Sequence, residues 1–272
     1  MKRCLPIVLG TIVLLAPIQA WADNGKPAPA SGTKPFVVFD NMPKEAGKGD
    51  TSAKGLVECV ILPIPWKVKN EEADEAAFKA GVAKALADHP KIGLFVLDIE
   101  YVYLSGKDAA EVKKHFQLFI HLAKWVHEAA PGHKVGYYGH GLFPEQPGKE
   151  YATETKELIA AVDAFLPSMY NFNDNREAWK NKLKGYVEQA HRIAPGKPVC
   201  PYMWPGYHMS TKNALHLLSG DYWKFQLETA RECGADGLII WGNPKAHWSD
   251  KSTWWEETLN FMASKPMVAK PG

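Results

Sequence analysis

The chain has 272 residues, with 32 Lys and Arg against 30 Asp and Glu and a net charge of +2. Basic residues are interspersed with acidic ones instead of forming a stripe, which excludes the electrostatic footprint of a nucleic-acid-binding protein. Once the amino-terminal segment is set aside, the length suits one large core, near the ~250 residues of a TIM-type barrel.

From the amino terminus, Lys2 and Arg3 precede an apolar run over 5–15, and Ala20-Trp21-Ala22 supplies a small-x-small cleavage site. Residues 1–22 therefore read as a secretory signal peptide, and a secreted or periplasmic protein with no membrane segment after cleavage is expected. Residues 23–35 are rich in Pro, Ala, Gly, Ser and Lys and read as a flexible leader. Residues 36–264 form the expected catalytic barrel domain, and 265–272 a tail.

Within that domain, short apolar runs alternate with longer helical patterns, the signature of βαβ units and a parallel sheet. Strands are expected at 36–39, 56–62, 93–98, 134–138, 164–170, 198–202 and 237–241, and several are apolar throughout, as strands covered on both faces are. Helices are expected at 72–87, 152–161, 176–193, 212–233 and 253–263. The clearest helix has Val112, Phe116, Phe119, Ile120, Ala123 and Val126 on one stripe behind an Asp108 cap, and Pro131-Gly132 ends it. Residues 44–55 hold too much glycine for a helix. The fold class is α/β, a TIM-type (β/α) barrel; an open doubly wound sheet would carry a glycine-rich phosphate loop, and none is present. If Cys4 leaves with the signal, Cys59, Cys200 and Cys233 permit at most one disulfide, and three free thiols fit equally well.

The chemistry centres on Leu94-Phe95-Val96-Leu97-Asp98-Ile99-Glu100. Side chains alternate across a strand, so Asp98 and Glu100 share one face at the carboxyl-terminal strand end, where barrel enzymes carry catalytic groups. Two carboxylates so close resist ionising together, and one keeps its proton to a higher pH. Glu100 is assigned as general acid, with Asp98 charged or sharing the proton. Tyr138, Tyr170, Tyr202 and Trp241 end or lie in other strands and surround the pair like a sugar subsite, although each taken singly is as consistent with core packing. Asp40 and Asn41 follow the first strand as candidate substrate contacts or ordinary turn residues. Trp204, Tyr207 and Trp248 are cleft-wall aromatics or plain packing, and His140 and His208 follow strand ends. His115, His121 and His127 lie six residues apart on one helix and so face different ways; no metal and no cofactor is expected.

In order, Phe-Val-Val-Phe-Asp-Asn-Met-Pro, Val-Leu-Asp-Ile-Glu, Gly-Tyr-Tyr-Gly, Leu-Pro-Ser-Met-Tyr, Pro-Val-Cys-Pro-Tyr and Gly-Ala-Asp-Gly-Leu-Ile-Ile-Trp-Gly resemble the hyaluronidase family of glycoside hydrolases. The resemblance runs from Phe36 to Trp241 and implies a distorted barrel of seven strands. It implies Glu100 as acid/base and Asp98 as its partner carboxylate, with the substrate's own N-acetyl oxygen as nucleophile. It further implies that Tyr202 and Trp241 line the N-acetyl pocket and that Tyr170 is the tyrosine of the Pro-Ser-x-Tyr strand. Two features depart from the family: Tyr101-Val102-Tyr103-Leu104-Ser105 replaces its Trp- and Arg-bearing stretch, and its cysteine pattern is missing. The expected partner is a polysaccharide or oligosaccharide containing N-acetylhexosamine. Two other readings remain open: a non-catalytic carbohydrate-binding barrel, and a glycosidase of another family with Asp40 or Glu145 as nucleophile.

Overall fold

The computed structural model describes residues 36–43, 51–64, 66–67, 72–106, 108–139, 149–243 and 251–264. The expected signal peptide, leader and tail lie outside the described residues, as do His140, Glu145 and Trp248. Strands β1 (Val37–Asn41) and β2 (Val57–Leu62) are followed by a small antiparallel ribbon, β3 (Trp66–Lys67) with β4 (Glu72–Ala73). The remaining strands are β5 (Leu94–Leu97), β6 (Val135–Tyr138), β7 (Ala164–Leu166), β8 (Tyr202–Met203) and β9 (Gly237–Trp241). Seven of them form one parallel sheet in the order β7-β6-β5-β2-β1-β9-β8.

The two ends of that sheet meet. Parallel bridges pair Phe165 with Val199, Ser168 with Tyr202 and Asn171 with Tyr207. Pro167 and Pro198 have no N–H to give, so the seam lacks the bonds those two residues would donate. Phe165 N–H donates to Pro198 O at 2.9 Å, Tyr202 N–H to Pro167 O at 2.8 Å and Met169 N–H to Tyr202 O at 2.8 Å. The strand expected at 164–170 is regular only over Ala164–Leu166, and that expected at 198–202 is displaced to Tyr202–Met203, sharing only Tyr202 with it.

Period-2 alternation sorts the strand residues onto two surfaces. Val38, Met42, Phe95, Leu97, Ile99, Tyr137, Phe165, Met169, Met203, Leu238 and Ile240 pack into the apolar layer shared with the helices. Residues of the opposite parity, among them Phe39, Cys59, Leu94, Val96, Leu166, Cys200 and Ile239, are buried inside the barrel. Glycines make room for them: a Cβ on Gly136 would sit 2.8 Å from Leu166 Cδ1, and one on Gly237 would sit 2.4 Å from Val37 O and 3.2 Å from Cys200 Sγ. All three described cysteines are free, so no disulfide forms among them.

The helices are α1 (Glu75–Asp88), α2 (Ala109–Ala129), α3 (Ala152–Ala161), α4 (Arg176–Ile193), α5 (Gly220–Glu232) and α6 (Thr253–Ala263). Asp108 caps α2 as expected, accepting from the Ala110 and Glu111 N–H groups at 2.9 and 3.2 Å. Two helices start later than the sequence pattern suggests. Glu72–Ala73 pair with Trp66–Lys67, and Asp74 accepts from Ala77 N–H at 3.0 Å, so α1 begins at Glu75. The stretch expected to be helical from 212 is a turn-rich loop in which Leu215 adopts φ 66°, a conformation no right-handed helix contains, and the helix begins only after Ser219. Among the described residues no helix is long and apolar enough to cross a membrane.

The two glycine environments give a contrasting pair of variants. Gly237→Ala pushes a methyl onto a backbone oxygen that cannot move without breaking the β1–β9 register, and it is expected to lower stability by about 2 kcal/mol or more. Gly185→Ala, on exposed α4 with nothing within 4 Å of the added Cβ, should raise stability by about 0.5–1 kcal/mol. Urea unfolding of both variants beside the wild type checks the assignment.

Candidate active site

Residues of inward parity at and just past the strand ends build the barrel mouth. Ile61, Asp98, Glu100, Tyr138, Tyr170, Tyr202, Trp204 and Trp241 line a cavity of about 210 Å³, joined by His208 and Met209 from the loop after β8. Strand β5 is wholly buried, and the chain leaves it with Asp98 half-buried, Ile99 buried among the helices and Glu100 exposed. The two carboxylates thus enter one cavity from a rigid strand end, as the i, i+2 spacing predicts.

Burial falls on Asp98. Its Oδ1 is enclosed and has no hydrogen-bond partner among the described residues. Desolvation, and secondarily the Glu100 charge, raises its pKa to about 6. The group held protonated to higher pH is thus Asp98, where the sequence pattern points to Glu100, because Asp98 is the deeper of the two and Glu100 lies at the solvent side.

Aromatic rings form the rest of the wall. Tyr138 meets Tyr202 edge-on at 4.9 Å, Tyr170 lies 5.5 Å from Trp241, and Trp204 meets Trp241 edge-on at 5.2 Å. The Tyr138 hydroxyl lies 3.2 Å from Ser168 Oγ. Burial pushes the Tyr138, Tyr170 and Tyr202 phenols up, so all three stay protonated as neutral hydrogen-bonding groups.

Asp40 and Asn41 separate. Asp40 has the parity of Val38 and Met42, so it points away from the barrel interior; it is 5 % exposed and its carboxylate accepts from Met42 N–H at 2.8 Å and from the Thr51 hydroxyl. It is a strand residue of β1 whose carboxylate is taken up by its own surroundings, which corrects its candidacy both as a substrate contact and as a nucleophile. Asn41, one residue on, has the inward parity but supports the wall from behind: Nδ2 donates to Cys59 O at 3.1 Å, and Oδ1 accepts from the Tyr202 hydroxyl. Asp98 and Glu100 are the only carboxylates among the described lining residues.

Sequence reading overlooked three contributors. Ile61 and Met209 are apolar and carry no chemical signature, and Asn171 lies outside the cavity lining. Asn171 is 1 % exposed; its Nδ2 donates to Trp204 O at 3.0 Å and to Gly206 O at 3.3 Å, while its Oδ1 accepts from Gln226 Nε2. It ties the loop after β8 to the barrel. Tyr207 gives its hydroxyl to Asp174 and does not line the cavity. His115 is buried, with Nδ1 2.7 Å from Tyr103 O, and among the described residues no cluster of His, Cys, Asp and Glu could hold a metal ion.

A barrel of seven parallel strands, closed at a proline-punctuated seam and carrying two carboxylates and an aromatic wall at its mouth, is a hyaluronidase-like glycoside hydrolase fold. No family model matches the chain. The crystal structure of bee venom hyaluronidase superposes with a TM-score of 0.58 at 19 % identity, covering 84 % of this chain and 96 % of that one. The same enzyme in complex with a hyaluronic acid tetramer gives a TM-score of 0.59 at 20 % identity, covering 84 % and 95 %. In sequence, the chain is 30 % identical to a hyaluronidase from Apis mellifera over 149 residues, 48 % of this chain and 38 % of that protein. The match therefore spans well under half the length of that relative.

The position of Asp98 predicts a pH-dependent stability. Its folded-state pKa lies above the unfolded value, so its ionisation opposes folding; this cost is fully present above about pH 6 and disappears as the pH falls through 6 towards the ordinary aspartate value of 3.8. Asp98→Asn should therefore stabilise the protein at pH 7.5 by roughly 1 kcal/mol, the full shift being discounted for partial solvent screening, with no gain near pH 4. Thermal unfolding of both proteins across that range measures it.

Proposed function

We propose that the chain is an exported glycosidase that cleaves a polysaccharide containing N-acetylhexosamine, with retention of configuration and assistance from the substrate. The observation that carries the reading is the half-buried Asp98 beside exposed Glu100 on one strand end, inside an aromatic cavity. Glu100 faces solvent and can reach the glycosidic oxygen of a sugar laid across the mouth, so it acts as general acid. Its proton passes to the leaving oxygen as the C–O bond breaks. The N-acetyl carbonyl oxygen forms the new bond to the anomeric carbon, giving an oxazolinium ion.

Asp98 lies deeper, where its carboxylate would accept the amide N–H and stabilise the positive charge that develops on the ring nitrogen. The pair works with one proton between its two carboxyls, so the apparent pKa values governing activity belong to the pair. In the second step the Glu100 carboxylate takes a proton from water, whose oxygen opens the oxazolinium and restores the N-acetyl group with net retention. Two observations support a nucleophile supplied by the substrate: Asp40 is sequestered by Thr51 and Met42, and the described cavity lining holds no third carboxylate. The likeness to a hyaluronidase bound to a hyaluronic acid tetramer supports a saccharide ligand. Export rests on the amino-terminal pattern of residues 1–22.

Release of reducing ends from hyaluronan, chondroitin and chitin oligomers by the wild type and by Glu100→Gln tests this. Loss of roughly 10²–10⁴-fold in the variant, with folding retained and the product anomer matching the substrate, is expected. No turnover on any N-acetylated polymer, together with saturable binding by both proteins, would leave a carbohydrate-binding barrel in its place.

A further inference from the structure

The loop between β8 and α5 presents an unassigned imidazole to the cavity. His208 lines it beside Tyr170, its ring 6.1 Å from Tyr170 in a stacked arrangement and 4.6 Å from the exposed Phe172. The backbone of His208 is held from both sides: its N–H donates to Asn171 O at 2.8 Å, and its carbonyl accepts from Thr211 N–H at 3.0 Å and from Thr211 Oγ1 at 2.9 Å. Behind it, the buried Asn171 and Gln226 amides fix the start of the loop through the Trp204 and Gly206 carbonyls. A side chain so anchored loses little further freedom when it binds a ligand.

The ring's own contacts decide its tautomer. Ser210 N–H donates to His208 Nδ1 at 3.2 Å, and Ser210 Oγ lies 2.8 Å from the same nitrogen. A nitrogen that accepts a backbone N–H carries no proton, so the neutral ring holds its proton on Nε2. Nε2 has no partner among the described residues. A fixed N–H donor without a partner, on a ring that packs against a cavity tyrosine, has the form of a specificity contact.

Building on the glycosidase reading, we propose that His208 is a specificity-determining residue whose Nε2–H donates a hydrogen bond to a saccharide oxygen on the sugar next to the one held by Tyr138, Tyr202 and Trp241. It is a binding group and takes no part in proton transfer, since the neutral tautomer donates without changing charge. It enters the cavity from the loop after β8, beside Tyr170, whereas the carboxylates enter from the end of β5.

The test measures binding of an N-acetylglucosamine tetramer and of a hyaluronan tetrasaccharide to the full chain carrying Glu100→Gln, by calorimetry, with His, Gln or Leu at position 208. The expected result is that His208→Leu weakens binding of at least one probe roughly tenfold, while His208→Gln, which keeps an N–H donor, stays within about threefold of the parent. In ¹⁵N spectra, the His208 Nε2 resonance should report a protonated nitrogen and shift on adding that probe, a change that a purely structural histidine would not show. Equal affinities for Leu and His in folded proteins, or an Nε2 resonance indifferent to ligand, would overturn the assignment and leave the glycosidase reading intact. Failure of every protein, wild type included, to bind or cleave either probe would overturn both.

Discussion

Everything functional in this molecule depends on where a buried parallel strand ends. β5 is apolar and enclosed over its whole length, and the chain emerges from it directly into Asp98-Ile99-Glu100. The rigidity of the strand fixes both carboxyls, and the curvature of the barrel grades their burial, so that one sits in the wall and the other at the rim. The electrostatic difference between them is thus a property of depth. Desolvation is the larger cause of the raised Asp98 pKa, and the Glu100 charge adds to it. An enclosed carboxyl atom without a hydrogen-bond partner opposes stability.

The aromatic wall follows from the same geometry. Parallel strands in chain order all leave the sheet at one end, so the inward residues at and just past the strand ends converge without any long-range sequence motif. Tyr138, Tyr170, Tyr202 and Trp241 reach the cavity in this way, and Asn41 reaches the back of Tyr202 by the same parity. The seam between β7 and β8 breaks this regularity. Pro167 and Pro198 remove ladder bonds, and the loop that leaves β8 is held by backbone bonds such as His208 N–H to Asn171 O as well as by the Asn171 and Gln226 amides. This loop brings Trp204, His208 and Met209 to the mouth.

The seven strands were legible because each is a short apolar run closed by a polar or aromatic residue, and α3, α4 and α6 because their stripes begin and end at clear breaks. The carboxylate pair was legible from i, i+2 spacing alone. Asp40 was not, since an acidic residue after a strand reads as a site candidate until its parity is compared with Val38 and Met42, which place it outside the barrel wall. Applied to every strand, the same comparison would also have found Ile61. The loop over 212–219 was illegible for a different reason: its composition tolerates a helix, and the left-handed turn at Leu215 is imposed by tertiary hydrogen bonds such as Leu218 N–H to Pro205 O at 3.0 Å. Asn171 looked like an ordinary polar loop residue because its role lies in the carbonyls it meets across 33 and 35 residues of sequence.

Carboxyl ¹³C resonances of Asp98, followed from pH 3 to 9 in the wild type and in Glu100→Gln, test the central claim most directly. The structure predicts a titration near 6 in the wild type, and a lower value in the variant that still exceeds the ordinary aspartate value of 3.8, because burial outweighs the charge of Glu100. An Asp98 that titrates near 4 in the wild type, or one unmoved by loss of the Glu100 charge, would contradict the account of the site as a desolvated, coupled pair.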